Sequence, residues 1–120
     1  MKQVECTVPV LGVESLQRSS EFYTKTLDFK LDWGDESGQV CSVSRDGCSI
    51  MLAKFAKPGT WVWIGLEDDS LFSLYAERGV KVRQEPKNFP WAYEMKIEDI
   101  DGNVLWLGTG PRSDEPFDNP

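Results

Sequence analysis

The sequence contains no histidine. Ser-His-Asp and Cys-His nucleophilic catalysis, the commonest zinc sites and the two-His iron sites all use an imidazole, so most hydrolase and metalloenzyme arrangements are excluded. Positive charge is also scarce: 13 Lys and Arg stand against 20 Asp and Glu, a formal net charge of −7 with a pI near 4.5. A sequence-independent grip on nucleic-acid phosphates needs the opposite sign, and this balance suits a cationic ligand better. No apolar run approaches the roughly 18 to 20 residues of a membrane span, and the opening MKQVECTVPV has no apolar signal-peptide core. The expected setting is cytoplasmic, away from membranes. Cys6, Cys41 and Cys48 have no Cys-x-x-Cys spacing and no imidazole to activate them, which fits reduced thiols filling strand positions.

The 120 residues, 40% of them apolar, suffice for one domain with a closed core. A first strand is expected at about 4–11, with Pro9 demoting part of it to an edge. Ser15 caps a helix to about residue 26, with Leu16, Ser20, Tyr23 and Leu27 at helical spacing. Strands at about 29–33, 40–45 and 48–55 follow, the last two joined by Asp46-Gly47. After Lys57-Pro58-Gly59 the order repeats: a strand at about 60–67, a helix from Ser70 to Arg78 stopped by Gly79, then strands at 80–84, 92–98 and 103–108. The polar, Pro-rich residues 110–120 read as a flexible or partner-draped tail.

The halves share letters as well as order. Leu11-Gly12-Val13-Glu14 matches Ile64-Gly65-Leu66-Glu67, and Asp46-Gly47-x-x-Ile50-Met51-Leu52 matches Asp101-Gly102-x-x-Leu105-Trp106-Leu107. The offsets are 53 and 55 residues, on the same expected elements, which points to internal duplication. The fold class is therefore α+β: two βαβββ modules, about 4–55 and 60–109, related by a pseudo-twofold and forming a curved mixed sheet that encloses a cavity, all within a single domain at 1–109. Ligands would bind in that trough.

With Pro9-Val10-Leu11-x-Val13-x-Ser15-Leu16, Phe22-Tyr23-x-x-x-Leu27-x-Phe29 and Pro90-Trp91-x-x-Glu94-Met95-x-Ile97-x-Asp99-x-Asp101-Gly102-Asn103 in order, the chain resembles the vicinal oxygen chelate superfamily, and within it the glyoxalase/bleomycin-resistance proteins. Asp28 stands where such proteins usually carry Gly, and Ile100 where they carry Pro. The resemblance implies that metal ligands, in the members that use them, lie on the first and last strand of each module. Here those places fall near Val8, Met51, Trp61 and Trp106, none able to hold a hard divalent ion. No metal or other cofactor is expected, and Lewis-acid chemistry is disfavoured.

Five tryptophans are many for so short a chain. Trp61 and Trp63 are two apart on one strand and so share a face, and Trp106 occupies the corresponding last-strand position. These rings suit either a core or a ligand wall, and their common face favours the wall. Trp33 and Trp91 are balanced between the two roles, and the resemblance would put them, with Tyr93 of the Pro-Trp segment, at a groove shared by two subunits. The candidate ligand-binding set is thus Val8, Trp33, Met51, Trp61, Trp63, Trp91, Tyr93 and Trp106, with no catalytic residue assigned. Glu94 reads as a structural hydrogen-bond acceptor before a general base. The expected function is metal-free sequestration of a cationic, partly planar small molecule by a homodimer, without chemical change. The alternative is a lyase or isomerase of the same superfamily that uses Glu94 or Asp99 as a proton shuttle.

Overall fold

A computed structural model describes residues 1–120, which divide into two compact units, Met1–Gly59 and Thr60–Pro120. No helix is long and apolar enough to cross a membrane.

The first unit contains β1 (Val10–Gly12), α1 (Leu16–Glu21), β2 (Lys30–Trp33), β3 (Val40–Arg45) and β4 (Cys48–Ala53). Its sheet has the order β1-β4-β3-β2, with β1 parallel to β4 and the other pairs antiparallel. β1 is far shorter than the expected 4–11. Pro9 has no N–H to give to a ladder and contributes only its carbonyl, which accepts from Met51 N at 2.9 Å. Ser15 caps α1 as expected, its Oγ accepting from Arg18 N at 3.2 Å, and the Glu36 carboxylate accepts from Gln17 N. The helix continues as a π-helical turn over Phe22–Thr26. The β3–β4 turn is Asp46-Gly47 with φ of 51° and 78°, the doubly left-handed geometry that suits a two-residue hairpin. Asp28 also has positive φ, 64°, which explains the usual preference for Gly there. Leu11, Leu16, Tyr23, Leu27, Val43, Ile50 and Leu52 form this unit's apolar interior.

The second unit repeats the plan with β5 (Trp61–Gly65), α2 (Ser70–Glu77), β6 (Lys81–Phe89), β7 (Ala92–Glu98) and β8 (Val104–Thr109) in the order β5-β8-β7-β6. The repeat extends to register: Gly12 faces Ala53 as Gly65 faces Gly108, and Val13 N bonds Ala53 O as Leu66 N bonds Gly108 O. Both offsets seen in the sequence are preserved in these pairings. β6 runs well beyond the expected 80–84, through Pro86. It is an edge strand with register shifts between Val82 and Gln84 and between Gln84 and Lys87, and such irregular edges accommodate proline.

Residues 110–120 lie against this unit. Asn88, 5% exposed, accepts from Arg112 N at 2.8 Å and donates through Nδ2 to Arg112 O at 2.9 Å, and its backbone exchanges two bonds with Asp118. Arg112 also pairs with Asp69 and Glu115 and stacks 3.8 Å from the Tyr93 ring centre.

Candidate ligand-binding site

Cross-strand partners share a sheet face, so the register of the second unit defines a row: Trp63 on β5, Trp106 on β8, Lys96 on β7 and Gln84 on β6. Trp61, two residues before Trp63, and Glu94, two before Lys96, extend the same face. The opposite face carries Met95, Ile97, Leu105 and Leu107, all buried. One side of the sheet is thus core, and the other presents indole.

The rings form a wall. Trp106 stands nearly perpendicular to both neighbours, its centre 5.1 Å from that of Trp63 and 6.4 Å from that of Trp61. Edge-to-face pairs of this kind are the favoured aromatic geometry. Trp63 lies across the backbone of Gly108, where a Cβ would come within 2.1 Å of the ring. Trp61 and Trp63 are 49% and 48% exposed despite these contacts.

Glu94 organises the wall from beneath. It is 1% exposed, and its Oε1 accepts from Trp91 Nε1 at 2.7 Å. Its Oε2 accepts from Trp106 Nε1 and from Gln84 Nε2, and lies 3.5 Å from Lys96 Nζ. Lys96 also donates to Gln84 Oε1 at 2.9 Å. A buried carboxylate persists only with such compensation. Trp91 sits in the two-residue Pro90-Trp91 turn between β6 and β7 and stacks on Phe89 at 4.8 Å. The Pro-Trp-x-x-Glu motif is therefore a hydrogen-bonded turn.

Cations lie over the ring faces. Lys96 Nζ is 5.7 Å from the Trp61 centre and 5.3 Å from that of Trp106, and Arg83 Cζ is 5.2 Å from Trp61.

In the first unit the corresponding row is Val10, Met51, Ser42 and Trp33. Trp33 is 48% exposed beside a bulge, and the carboxylate of its neighbour Asp32 accepts from Ser44 Oγ at 2.8 Å. Val8 lies just ahead of β1, half-buried. Within the second unit, then, Trp61, Trp63, Trp91 and Trp106 come together, while in the first Met51 and Trp33 share a sheet face with Ser42 between them. Tyr93 does not join the tryptophans: it stacks on Phe72 of α2, ring centres 5.4 Å apart, on the opposite side of the sheet. The sequence reading passed over Lys96 and Arg83. Strict alternation along Ala92–Glu98 would have placed Glu94 and Lys96 on one face and Tyr93 on the other.

The other reactive groups are engaged elsewhere. Asp99 Oδ1 accepts from the backbone N–H of Asp101 and Asn103, and its Oδ2 accepts from Asn103 Nδ2, all at 2.9 Å. Cys41 is buried, and burial followed by the charge of Glu36 pushes its thiol pKa up, while Cys6 and Cys48 are exposed free thiols. The fold family implies a divalent metal in some members, but the residues here do not fit one. Val8, Met51, Trp61 and Trp106 offer no hard donor, and no group of three or more His, Cys, Asp or Glu is arranged to hold an ion.

Comparison with solved structures returns the same architecture repeatedly. TnmS3, an antibiotic binding protein from Streptomyces sp. CB03234, is 28% identical, with a TM-score of 0.78 over 92% of this chain and 98% of that one. A glyoxalase/bleomycin resistance protein from the same Streptomyces is 29% identical, with a TM-score of 0.71 over 84% and 96%. The bleomycin-binding protein of bleomycin-producing Streptomyces verticillus, solved with copper(II)-bleomycin, is 20% identical, with a TM-score of 0.73 over 92% and 99%. No curated protein sequence matches the chain. The family model of the Glyoxalase/Bleomycin resistance protein/Dioxygenase superfamily matches residues 4–107, and with both βαβββ units in register the chain belongs to that superfamily.

Proposed function

We propose that this protein sequesters a partly planar small molecule against the tryptophan wall and releases it unchanged, without a metal, working as a cytoplasmic homodimer. One observation carries the reading: Trp61, Trp63 and Trp106 share one exposed face of a sheet, and the indole of Trp106 is anchored to the buried Glu94. A rigid aromatic surface is already organised for stacking, so little ordering cost remains when a flat ligand arrives. That its structural relatives include an antibiotic binding protein and a bleomycin-binding protein agrees with this role.

The net charge of −7 favours a cationic ligand at long range, whereas beside the rings Lys96 is balanced by Glu94 and Arg83 stands over Trp61 with no ion pair. Planarity is therefore the property that the wall selects first. The enzymatic alternative, a lyase or isomerase, lacks a poised base: Glu94 and Asp99 both have their oxygens committed to hydrogen bonds within the protein. A homodimer would cover the half-exposed Trp33 and Trp91.

Titration of tryptophan emission with a panel of planar heteroaromatic compounds tests the reading. Saturable quenching is expected, with the compound recovered unaltered by mass spectrometry. Trp106→Ala should weaken binding by about 1–3 kcal/mol, expressed mainly as a faster off-rate. Chemical conversion of the compound would favour the enzymatic alternative. A monomeric mass by light scattering at micromolar concentration would remove the dimer.

A further inference from the structure

The geometry points to Arg83 as a specificity-determining residue that makes the tryptophan wall select planar aromatic ligands bearing an anionic oxygen, a carboxylate or an acidic phenol. This rests on the reading of the wall as a small-molecule site.

The charges within reach of the rings decide the matter. Glu94 is hydrogen-bonded to the rings themselves, but it is 1% exposed and both oxygens are taken, by Trp91 on one side and by Trp106 and Gln84 on the other. It cannot turn outward to meet a cationic ligand. Lys96, 3.5 Å away, compensates that buried charge. On β6, Lys81 is paired with Glu98 at 3.5 Å, but Arg83 has no carboxylate within ion-pairing distance and lies over Trp61. Glu85, exposed on the same strand, likewise has no ion pair. Arg83 is therefore a cation outside any ion pair, presented as a planar fork beside an exposed indole, and Lys87, the cross-strand partner of Glu94, adds a second unpaired cation to the same face.

A second cation stacked on Trp61 or Trp106 would approach Arg83 and Lys96, which already occupy the attractive region over those rings. An anionic group on a stacked ring meets the opposite situation. The guanidinium can take its oxygens bidentately while the ring packs against the neighbouring indole of Trp63, which is 48% exposed. The acidity of the chain as a whole does not describe this patch.

Three probes with one ring system isolate the charge: anthracene-2-carboxylate, 2-(hydroxymethyl)anthracene and 2-(aminomethyl)anthracene, the last cationic at neutral pH. Anthracene absorbs in the region of tryptophan emission, so binding of each is read by quenching in the full chain. The expected order is carboxylate, then alcohol, then ammonium, with the first and last separated by about tenfold or more at low salt. In Arg83→Gln, an exposed position outside the core, the ratio of carboxylate to alcohol affinity should fall toward one, whatever the common change in ring binding. Arg83→Lys should recover part of that ratio. Equal or tighter binding of the ammonium probe, or an unchanged order in Arg83→Gln, would overturn the assignment while leaving the wall as a binding site. Failure of all three probes to bind, with the wall buried in a dimer by light scattering, would overturn both.

Discussion

A carboxylate that is 1% exposed survives in an interior only when each oxygen has partners, and Glu94 has two indoles, an amide and an ammonium. Glu94→Gln removes the charge that balances Lys96. It also replaces one acceptor oxygen with an NH2 group, so one indole N–H must face another donor. We expect a stability loss of about 2–4 kcal/mol, from an unsatisfied buried donor plus an unpaired lysine. Urea unfolding followed by far-UV circular dichroism measures it. Because Trp91 and Trp106 lose their common anchor, native tryptophan emission should shift to the red in the same variant. An unchanged midpoint and emission maximum would mean that the rings are held by packing alone.

At the scale of elements, the Asp99–Asn103 loop shows how a family motif can be structural. Asn103 is 0% exposed, its Nδ2 donates to Asp99 at 2.9 Å and its Oδ1 accepts from Thr60 N at 3.1 Å, so one side chain ties the β7–β8 loop to the start of β5. Asn103→Ala removes the side-chain acceptor of Thr60 N and one donor to Asp99, and should cost about 2–3 kcal/mol by the same denaturation assay. Since β5 carries Trp61 and Trp63, ligand affinity should fall as well, even though the Glu94 anchor of Trp106 is untouched. Much of this element plan was legible from letters, because caps and turns act locally: Ser15 at α1, Asp46-Gly47 at the hairpin and the repeated Gly12 and Gly65 all stand where the sequence puts them. What escaped depends on partners distant in sequence. Pro86 ends a strand by its own chemistry, yet β6 carries it because the edge is irregular. β1 begins only after Pro9, which accepts from β4 through its carbonyl but has no N–H to return. In the site, the common face of Trp61, Trp63 and Trp106 followed from alternation, whereas Arg83 and Lys96 became visible only once register set them over the rings.

Across the whole molecule, two electrostatic fields of opposite sign act on a ligand. The chain carries −7, and beyond a few ångströms a ligand senses that sum. At the wall it meets Arg83, 5.2 Å from the Trp61 ring centre and outside any ion pair, while Lys96 is balanced by Glu94. An anionic planar ligand is therefore repelled on approach and attracted on arrival, and salt separates the two effects. Screening shortens the reach of either field to roughly 8–10 Å near physiological ionic strength, which removes the long-range repulsion but leaves much of the contact attraction. For anthracene-2-carboxylate, stopped-flow quenching should show the on-rate rising with salt and the off-rate rising as the contact with Arg83 weakens. For the aminomethyl probe the on-rate should instead fall with salt, because the acidic field no longer steers it. The sign of each on-rate slope reports the field of the whole chain, and the off-rate slope, lost in Arg83→Gln, reports the wall. An anionic probe whose on-rate falls with salt would mean that the cations at the wall, not the total charge, govern encounter as well as residence.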